Sequence, residues 1–323
     1  MPTSASRAQQ LRAYLEGFWG TWILHVGREL KLFEALSANG PLTPAELASA
    51  RGFEAAYTEV WCRAAQAYEF LETEGGAYRV APGWEEMLAG TAAWATTYIQ
   101  VAQRVQESLE AVFLGKALPE PSLSLRMMLA GGLRASYAWL WNELAPSIPA
   151  LQEKLNESKR LIEFGCGCGY GLEHLRSRYP ELELTGIEVD YDCAREAERS
   201  TRAVIVVGTA EDSRYDSRFD VAVFHRALAQ CADPRSAIAR AAESLRKGGV
   251  LVITSEAELP DNPSSRLRLG ERFFYQMFMM QENALRSISL HQMQSWCAEM
   301  GLETVALVAA PEHGSPTLVC RKK

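Results

Sequence analysis

The stretch that decides the fold reads Leu161-Ile-Glu163-Phe-Gly165-Cys-Gly167-Cys-Gly169-Tyr-Gly171. Its short apolar run predicts a buried strand, and the glycines at alternate positions then allow a sharp turn. Such a turn lets a ligand lie against bare backbone at the N-terminus of the helix that follows. The stretch therefore predicts a strand, a ligand-binding loop and a helix.

The chain after this stretch alternates β-branched runs with helical patterns. Because strands separated by helices are joined by right-handed crossovers, the order predicts a mostly parallel seven-stranded sheet covered on both faces. Ligands of such sheets bind beyond the carboxyl ends of the strands, so the residues after each strand are the candidate site. Strands are predicted at 161–164, 182–189, 204–207, 219–224, 250–254, 304–308 and 317–321.

The chain before it, from residue 1 to about 150, is predicted to be all-helical but for one small hairpin. Helices are expected at 28–38, after the capping-box sequence Thr43-Pro-Ala-Glu46, and at 54–70, and the hairpin at 72–80. This order resembles a winged helix, a fold that often binds DNA. The 54–70 helix, however, carries three glutamates against a lone Arg63, which is the wrong charge for a phosphate-lined groove.

A domain boundary is predicted near residue 150, where Ala145-Pro-Ser-Ile-Pro149 interrupts the helical pattern. The two predicted domains are therefore 1–150 and 151–323. Aromatic side chains between 92 and 144 either line a pocket or belong to a core or dimer contact, and the sequence leaves both open. They are Trp94, Tyr98, Phe113, Tyr137, Trp139 and Trp141.

Composition narrows the class of partner. The chain has 323 residues, 48% hydrophobic and 23% charged, as expected of two folded domains. Its formal net charge of −7 disfavours nucleic acid and anionic membranes and favours a small-molecule partner. No signal peptide and no membrane-spanning apolar run are visible, and the seven cysteines form an odd, scattered set. We therefore expect the chain to be cytoplasmic and its thiols to be reduced.

The glycine-rich loop does not fit the dinucleotide fingerprint GxGxxG. Counted from Gly165 or from Gly167, the sixth position holds Tyr170 or Leu172 instead of glycine. The pattern that fits is E/D-x-G-x-G-x-G. Glu188 lies at the end of the second predicted strand, 23 residues after Gly165, where a carboxylate can accept hydrogen bonds from both ribose hydroxyls.

With these motifs the chain resembles the class I S-adenosylmethionine-dependent methyltransferases, in the branch of dimeric small-molecule O-methyltransferases with a winged-helix-like N-terminal domain. The resemblance implies a Rossmann-like domain that binds S-adenosylmethionine, a homodimer, and a helical domain that helps to close the acceptor pocket. Thr209 stands where the family usually has aspartate. The implied cofactor-binding residues are Glu163, Gly165, Cys166, Gly167, Gly169, Glu188, Val189, Ala210, Glu211 and Phe224.

The catalytic histidine of that branch is missing here. The motif that approximates L-H-D-W-x-D reads Leu228-Ala-Gln-Cys-Ala-Asp233, so Ala229 stands where the base is expected. His225, directly after the fourth strand, is the candidate replacement. Two alternatives stay open, an acceptor that needs little help from a base and non-methyl chemistry such as cyclisation.

Two further alternatives concern the class of site. A ligand-sensing winged-helix regulator is possible in principle, although the acidic 54–70 helix argues against it. Cys166 and Cys168 raise the question of a metal, but their CxC spacing has no neighbouring third ligand. We therefore predict no metal site and interpret both cysteines as small side chains that fill the loop.

Overall fold

The structure is a computed structural model that describes residues 4–89, 98–103, 106, 109–114, 116, 122–157, 159–254, 270, 288–308 and 316–323. The chain folds into two compact units, Met1–Arg104 and Val105–Lys323. The boundary that the sequence suggested near residue 150 falls within the second unit, among helices that pack on its sheet. Trp94, one of the aromatic residues named above, lies outside the described residues.

The first unit combines helices with one hairpin. Its helices are Ser4–Glu29, Leu32–Asn39, Pro44–Arg51, Ala55–Ala67 and Trp84–Ala89, and its strands are β1 (Leu71–Glu74) and β2 (Ala77–Val80). The predicted hairpin is present as an antiparallel pair, with positive φ at both Gly75 and Gly76 in the turn. The predicted helix at 28–38 begins instead at Leu32, because Lys31 adopts a left-handed conformation with φ of 54°.

The long first helix leaves a broad apolar face exposed. Side chains such as Leu15, Phe18 and Trp19 keep about half of their surface accessible, with exposed fractions of 49%, 52% and 51%. Leu24, farther along the same helix, is buried in a core with Phe33 and Trp61 of the neighbouring helices. Exposed apolar surfaces of this kind are often sites of interaction with a partner. Among the described residues, no helix is both long and apolar enough to cross a membrane.

The second unit is built on a seven-stranded sheet in the order β5-β4-β3-β6-β7-β9-β8. The first five of these strands run parallel, and β9 pairs antiparallel with both β7 and β8. The predicted fold class is therefore confirmed. The strands are β3 (Arg160–Phe164), β4 (Glu183–Glu188), β5 (Val204–Val207), β6 (Phe219–His225), β7 (Leu245–Thr254), β8 (Leu302–Val308) and β9 (Thr317–Lys322).

Helices alternate with these strands as predicted. The principal ones are Tyr170–Arg178, Tyr191–Thr201, Pro234–Ser244 and Leu290–Glu299. One boundary differs from the prediction: the strand expected at 250–254 begins at Leu245, directly after the helix Pro234–Ser244 ends. The register with β6 shifts between Phe219 and Val221, and this irregularity accommodates the extra residues that carry the glycines.

The helical segment before the sheet belongs to the same compact unit, and its part from Tyr137 onward packs in the core of the sheet. It comprises Leu123–Gly131, Arg134–Trp139, a π-helical turn at Leu140–Leu144, the short Ala145–Ser147 and Pro149–Glu157. Tyr137, Trp141 and Leu151 are buried in the same core as Val223 and Val252 of the sheet. The prolines near residue 149 therefore interrupt a helix without ending the compact unit.

The order in which the strands are added to the sheet reverses between β3 and β6, although the two strands are parallel. From β3 the sequence proceeds outward through β4 to β5, and it returns to the other side of β3 with β6 and β7. A crevice forms at such a reversal, outside the carboxyl ends of the two strands. The residues that follow Phe164 and His225 therefore lie where a ligand site is expected.

Candidate functional site

The glycine-rich loop is held in place by hydrogen bonds to the neighbouring strand. The backbone N–H groups of Gly165 and Cys166 donate to the carbonyl oxygen of Ile187 over 2.8 and 3.0 Å. Gly165, Gly167 and Gly169 all have positive φ, of 72°, 54° and 86°. Glycine adopts this conformation without the steric cost that other residues incur, so the alternate glycines define the shape of the turn.

The three glycines face different surroundings. A Cβ atom at Gly165 would lie 2.5 Å from Ala227 Cβ, and one at Gly169 would lie 2.8 Å from Thr201 Cγ2. A Cβ atom at Gly167 would have no heavy atom within 4 Å among the described residues. Gly165 and Gly169 are thus needed for close packing, whereas Gly167 presents accessible backbone to a ligand.

Glu188 ends β4 beside this loop. It is 9% exposed, its Oε2 accepts a hydrogen bond from Gly167 N over 2.7 Å, and its Oε1 accepts one from Asp190 N over 2.9 Å. Burial raises the pKa of this carboxyl, and the two backbone donors oppose the rise. The side chain is therefore fixed in orientation next to the open backbone of Gly167.

Glu163 lies in β3, one strand away, and is 1% exposed. The Tyr137 hydroxyl donates a hydrogen bond to its Oε1 over 2.8 Å. Its other oxygen, Oε2, is buried and has no hydrogen-bond partner among the described residues. Burial raises the pKa of Glu163 to about 8, the Tyr137 hydrogen bond acts in the opposite direction, and the nearby Glu188 charge adds to the rise. A cation placed at Oε2 would stabilise the ionised carboxylate.

His225 ends β6 and is 3% exposed. Its Nε2 lies 2.9 Å from Ser136 Oγ, and its ring centre lies 4.2 Å from that of Tyr137 at an interplanar angle of 39°. The structure therefore brings Glu163, Tyr137 and His225 together at the reversal between β3 and β6. His225 is placed at the strand tip as the sequence suggested, but it contacts the helix above it.

The remaining predicted cofactor residues occupy three kinds of position. Val189 follows β4 and is 67% exposed, and Ala210 is buried after β5. The Glu211 carboxylate accepts a hydrogen bond from Asp233 N over 3.0 Å, at the start of the helix Pro234–Ser244. Phe224 is fully buried and stacks on Phe164 with ring centres 4.9 Å apart, so its side chain belongs to the core.

The positions around the missing histidine and the cysteines are packed interior. Ala229 is 7% exposed in a short 3₁₀ turn, Leu228–Gln230. Cys166 is buried, and the Cys168 thiol donates to Cys193 Sγ over 3.3 Å. None of the seven cysteines forms a disulfide. In the part of the chain that the structure describes, no cluster of three or more His, Cys, Asp or Glu could hold a metal ion.

Two residues of the site were not found from the sequence. Tyr137 was noted only as one of several aromatics, and nothing in its neighbourhood points to a glutamate 26 positions away. Arg126, in the helix Leu123–Gly131, pairs with Asp190 over 2.9 Å and with Asp192 over 3.2 Å, beside the tip of β4. Both contacts join distant parts of the chain, so no local pattern could have revealed them.

Comparison with known families gives two matches. Residues 138–307, more than half of the chain, match the family described as "Methyltransferase domain". Residues 13–85 match the family described as "O-methyltransferase dimerisation domain". The dimerisation match precedes the methyltransferase match along the chain, which is the order expected of a helical domain followed by a sheet domain.

Curated relatives align over part of their length. The chain is 27% identical to the 3-hydroxy-5-methyl-1-naphthoate 3-O-methyltransferase of Streptomyces sahachiroi over 200 residues, which cover 58% of this chain and 57% of that protein. It is 27% identical over 179 residues to the malonyl-[acyl-carrier protein] O-methyltransferase of Paenibacillus sp. (strain JDR-2), covering 50% and 62%. The chain thus matches about three fifths of the length of these relatives.

Solved structures align over the whole chain. Human N-acetylserotonin methyltransferase, determined in complex with SAM, superposes with a TM-score of 0.74 at 18% identity, covering 100% of this chain and 99% of that one. An O-methyltransferase family protein from Burkholderia thailandensis superposes with a TM-score of 0.71 at 18% identity, with the same coverage. At this identity the likeness shows the fold.

Proposed function

Because the chain belongs to the class I S-adenosylmethionine-dependent methyltransferases, in the branch that carries an O-methyltransferase dimerisation domain, we propose that it transfers the methyl group of S-adenosylmethionine to a small-molecule acceptor. The observation that supports this most directly is the pair of buried carboxylates, Glu163 and Glu188, on either side of an open glycine loop. The cofactor supplies an electrophilic methyl group on a positively charged sulfur.

The residues present fit such a cofactor. Gly167 offers backbone against which a ligand can lie, since a side chain there would meet nothing within 4 Å. Glu188 is a rigidly held acceptor suited to a pair of hydroxyl groups, as a ribose provides. Glu163 holds a buried oxygen with no partner among the described residues, which suits a cationic group. We propose these three residues as the principal contacts, with Cys166, Val189 and Ala210 along the wall.

The protein's own contribution to the reaction is mainly one of positioning. A methyl transfer by direct displacement needs the acceptor in line with the bond that breaks and needs water excluded. The helix Arg134–Trp139 lies over the tips of β3 and β6 through Ser136 and Tyr137. We propose that this helix covers the reacting end of the site.

The general base is a separate question, because Ala229 cannot accept a proton. His225 is our candidate, since it is the histidine at a strand tip of the site. Its Nε2 contacts Ser136 Oγ, so the imidazole must exchange this partner for the acceptor hydroxyl if it acts as a base. A positioned base contributes about 10²–10⁴-fold to the rate.

A matched pair of variants tests His225. If it is the base, His225→Ala lowers kcat by about 10²-fold or more and removes the histidine limb of the pH–rate profile. Ser136→Ala removes the partner but leaves the base, so it retains most of the activity. Full turnover of His225→Ala between about pH 6 and pH 9 would exclude histidine catalysis and favour an acceptor that ionises without help.

The acceptor class that we favour is a hydroxylated small molecule, and O-methylation the reaction. The support for a hydroxyl acceptor comes from the relative named 3-hydroxy-5-methyl-1-naphthoate 3-O-methyltransferase. The relative named malonyl-[acyl-carrier protein] O-methyltransferase supports O-methylation in general. We further propose that the protein acts as a homodimer through the exposed apolar face of the helix Ser4–Glu29, which lies partly within the segment matched as a dimerisation domain. A cytoplasmic location stays a prediction from the cysteines.

A product assay tests the proposed function. Purified protein is incubated with S-adenosylmethionine and a panel of phenols, carboxylic acids, thiols and amines, and S-adenosylhomocysteine is measured by mass spectrometry. Methyl transfer releases one S-adenosylhomocysteine for each methylated product. Consumption of the cofactor without S-adenosylhomocysteine would instead show non-methyl chemistry, and failure to bind the cofactor in calorimetry would overturn the proposal.

A further inference from the structure

Tyr137 is the residue of the site that no motif accounts for. It is 5% exposed, and three different elements of the second unit surround its ring and hydroxyl. The hydroxyl donates to Glu163 Oε1 in β3, and the ring packs against His225 at the end of β6. A Cβ atom at Gly171, in the helix after the glycine loop, would collide with the same ring. Tyr137 is therefore inserted between both central strands and the loop helix.

The hydrogen bond has a directional consequence for Glu163. With Oε1 engaged by Tyr137, the carboxyl group cannot rotate freely, and Oε2 is left as the acceptor that still lacks a partner among the residues described. Oε2 lies on the side of Gly171, where a Cβ atom would be 2.8 Å away. A carboxylate oxygen held in one orientation beside the helix that follows the glycine loop is a prepared partner for a cationic group.

We propose that Tyr137 is a positioning residue for the cofactor: it holds Oε1 of Glu163 and thereby presents Oε2 to the ammonium group of S-adenosylmethionine. The inference rests on the proposed function and adds to it a residue outside the glycine motif. Removal of the hydroxyl leaves Glu163 buried but unsupported, so binding weakens and its dependence on pH changes.

The pH dependence of cofactor binding follows from the ionisable groups that face Glu163. These are the Tyr137 hydroxyl from the helix above, Glu188 from β4 and the Cys166 thiol from the loop, with His225 on the far side of the Tyr137 ring. The raised pKa of Glu163, about 8, means that the free protein holds a proton on this carboxyl at neutral pH. Binding of a cation favours the carboxylate form of Glu163. The carboxylic acid therefore loses its O–H proton to the buffer, and no other group gains or loses a proton in this step.

Isothermal titration calorimetry with S-adenosylhomocysteine, which keeps the ammonium group and cannot react, tests the proposal on the full chain. Titrations in buffers of different ionisation enthalpy give the number of protons released, and a series of pH values gives the affinity profile. The proteins are wild type, Tyr137→Phe, Glu163→Gln, and Tyr215→Phe as a matched control whose ring packs on Phe219. Circular dichroism checks that each variant is folded.

We expect wild type to release close to one proton near pH 7 and to bind about tenfold more tightly for each pH unit up to about pH 8. Glu163→Gln loses this part of the proton release. Tyr137→Phe binds at least tenfold more weakly near pH 7, and its profile shifts to higher pH because the hydrogen bond that lowers the pKa of Glu163 is gone. We expect Tyr215→Phe to match wild type in both affinity and proton release.

Two results would overturn the inference while leaving the proposed function intact. One is a Tyr137→Phe profile that superimposes on that of wild type. The other is proton release by wild type equal to that of Glu163→Gln. This second comparison remains informative even if Tyr137→Phe does not fold. If wild type binds neither S-adenosylhomocysteine nor S-adenosylmethionine, the proposed function itself fails, and the inference fails with it.

Discussion

Replacement of Glu188 by alanine tests the proposed cofactor site most directly. The side chain accepts hydrogen bonds from Gly167 N and Asp190 N in the free protein, and we propose that it also accepts those of the ribose hydroxyls. A hydrogen bond to a charged group contributes about 1.5–3 kcal/mol. Loss of two such bonds to the cofactor therefore weakens binding by about 3–6 kcal/mol, or roughly 10²–10⁴-fold in Kd.

The cost to folding should be much smaller. Gly167 and Asp190 are only partly buried, so water can replace the lost carboxylate, and the removal of a buried charge offsets part of the remainder. We expect a loss of about 1–2 kcal/mol in the free energy of unfolding. The variant should therefore be folded yet unable to bind tightly, which separates a binding effect from a structural one.

The assay is calorimetric titration with S-adenosylmethionine, alongside a denaturant melt of each protein. Glu183→Ala is the control, because Glu183 begins the same strand and forms an exposed ion pair with Arg160, a class of contact that contributes little. An affinity of Glu188→Ala within about threefold of wild type, well below the factor of roughly 10² expected, would refute the reasoning and with it the assignment of Glu188.

Three further predictions concern stability and assembly. Because the folded-state pKa of Glu163, about 8, lies above its ordinary value of 4.5, its contribution to stability is complete below pH 4.5 and is lost as the pH rises through 8. Between pH 6 and pH 9 the free energy of unfolding, measured in urea, should therefore fall by about 2–3 kcal/mol more for wild type than for Glu163→Gln. Gly171→Ala forces a collision and should cost about 1–3 kcal/mol in a thermal melt, whereas Gly131→Ala, whose nearest heavy atom would be 3.9 Å away, should not. Leu15→Asp with Trp19→Asp should convert the proposed dimer to a monomer in analytical ultracentrifugation, and an unchanged sedimentation coefficient would contradict that interface.

The sequence predicts the sheet well because its signals are local. Apolar runs such as 161–164, bounded by glycine or proline, identify strands, and the alternation with helices implies the parallel order that the structure contains. Residues at strand ends, such as Glu163 and Glu188, are placed beside the glycine loop for the same reason. The first strand residue of β7 was misplaced because Leu245 follows a helical pattern without a break.

The parts that sequence reasoning missed depend on contacts between distant residues. Tyr137 was indistinguishable from the other aromatic residues around it, since only the packing of its helix on the sheet brings it to Glu163. Arg126 likewise acquires its partners Asp190 and Asp192 through tertiary structure. The left-handed Lys31 is a further case, because nothing in the surrounding helical pattern requires a break there.

The π-helical turn at Leu140–Leu144 has a consequence for insertions and deletions. A π turn accommodates one residue more than a regular turn, and each residue of an α-helix advances its side chains by about 100° around the axis. Deletion of one exposed residue of this turn, such as Glu143, should therefore restore a regular turn and leave Tyr137 and Trp141 on the face toward the sheet. We expect such a deletion to be tolerated, whereas one in a regular helix, which has no extra residue to lose, would rotate everything beyond it by about 100°.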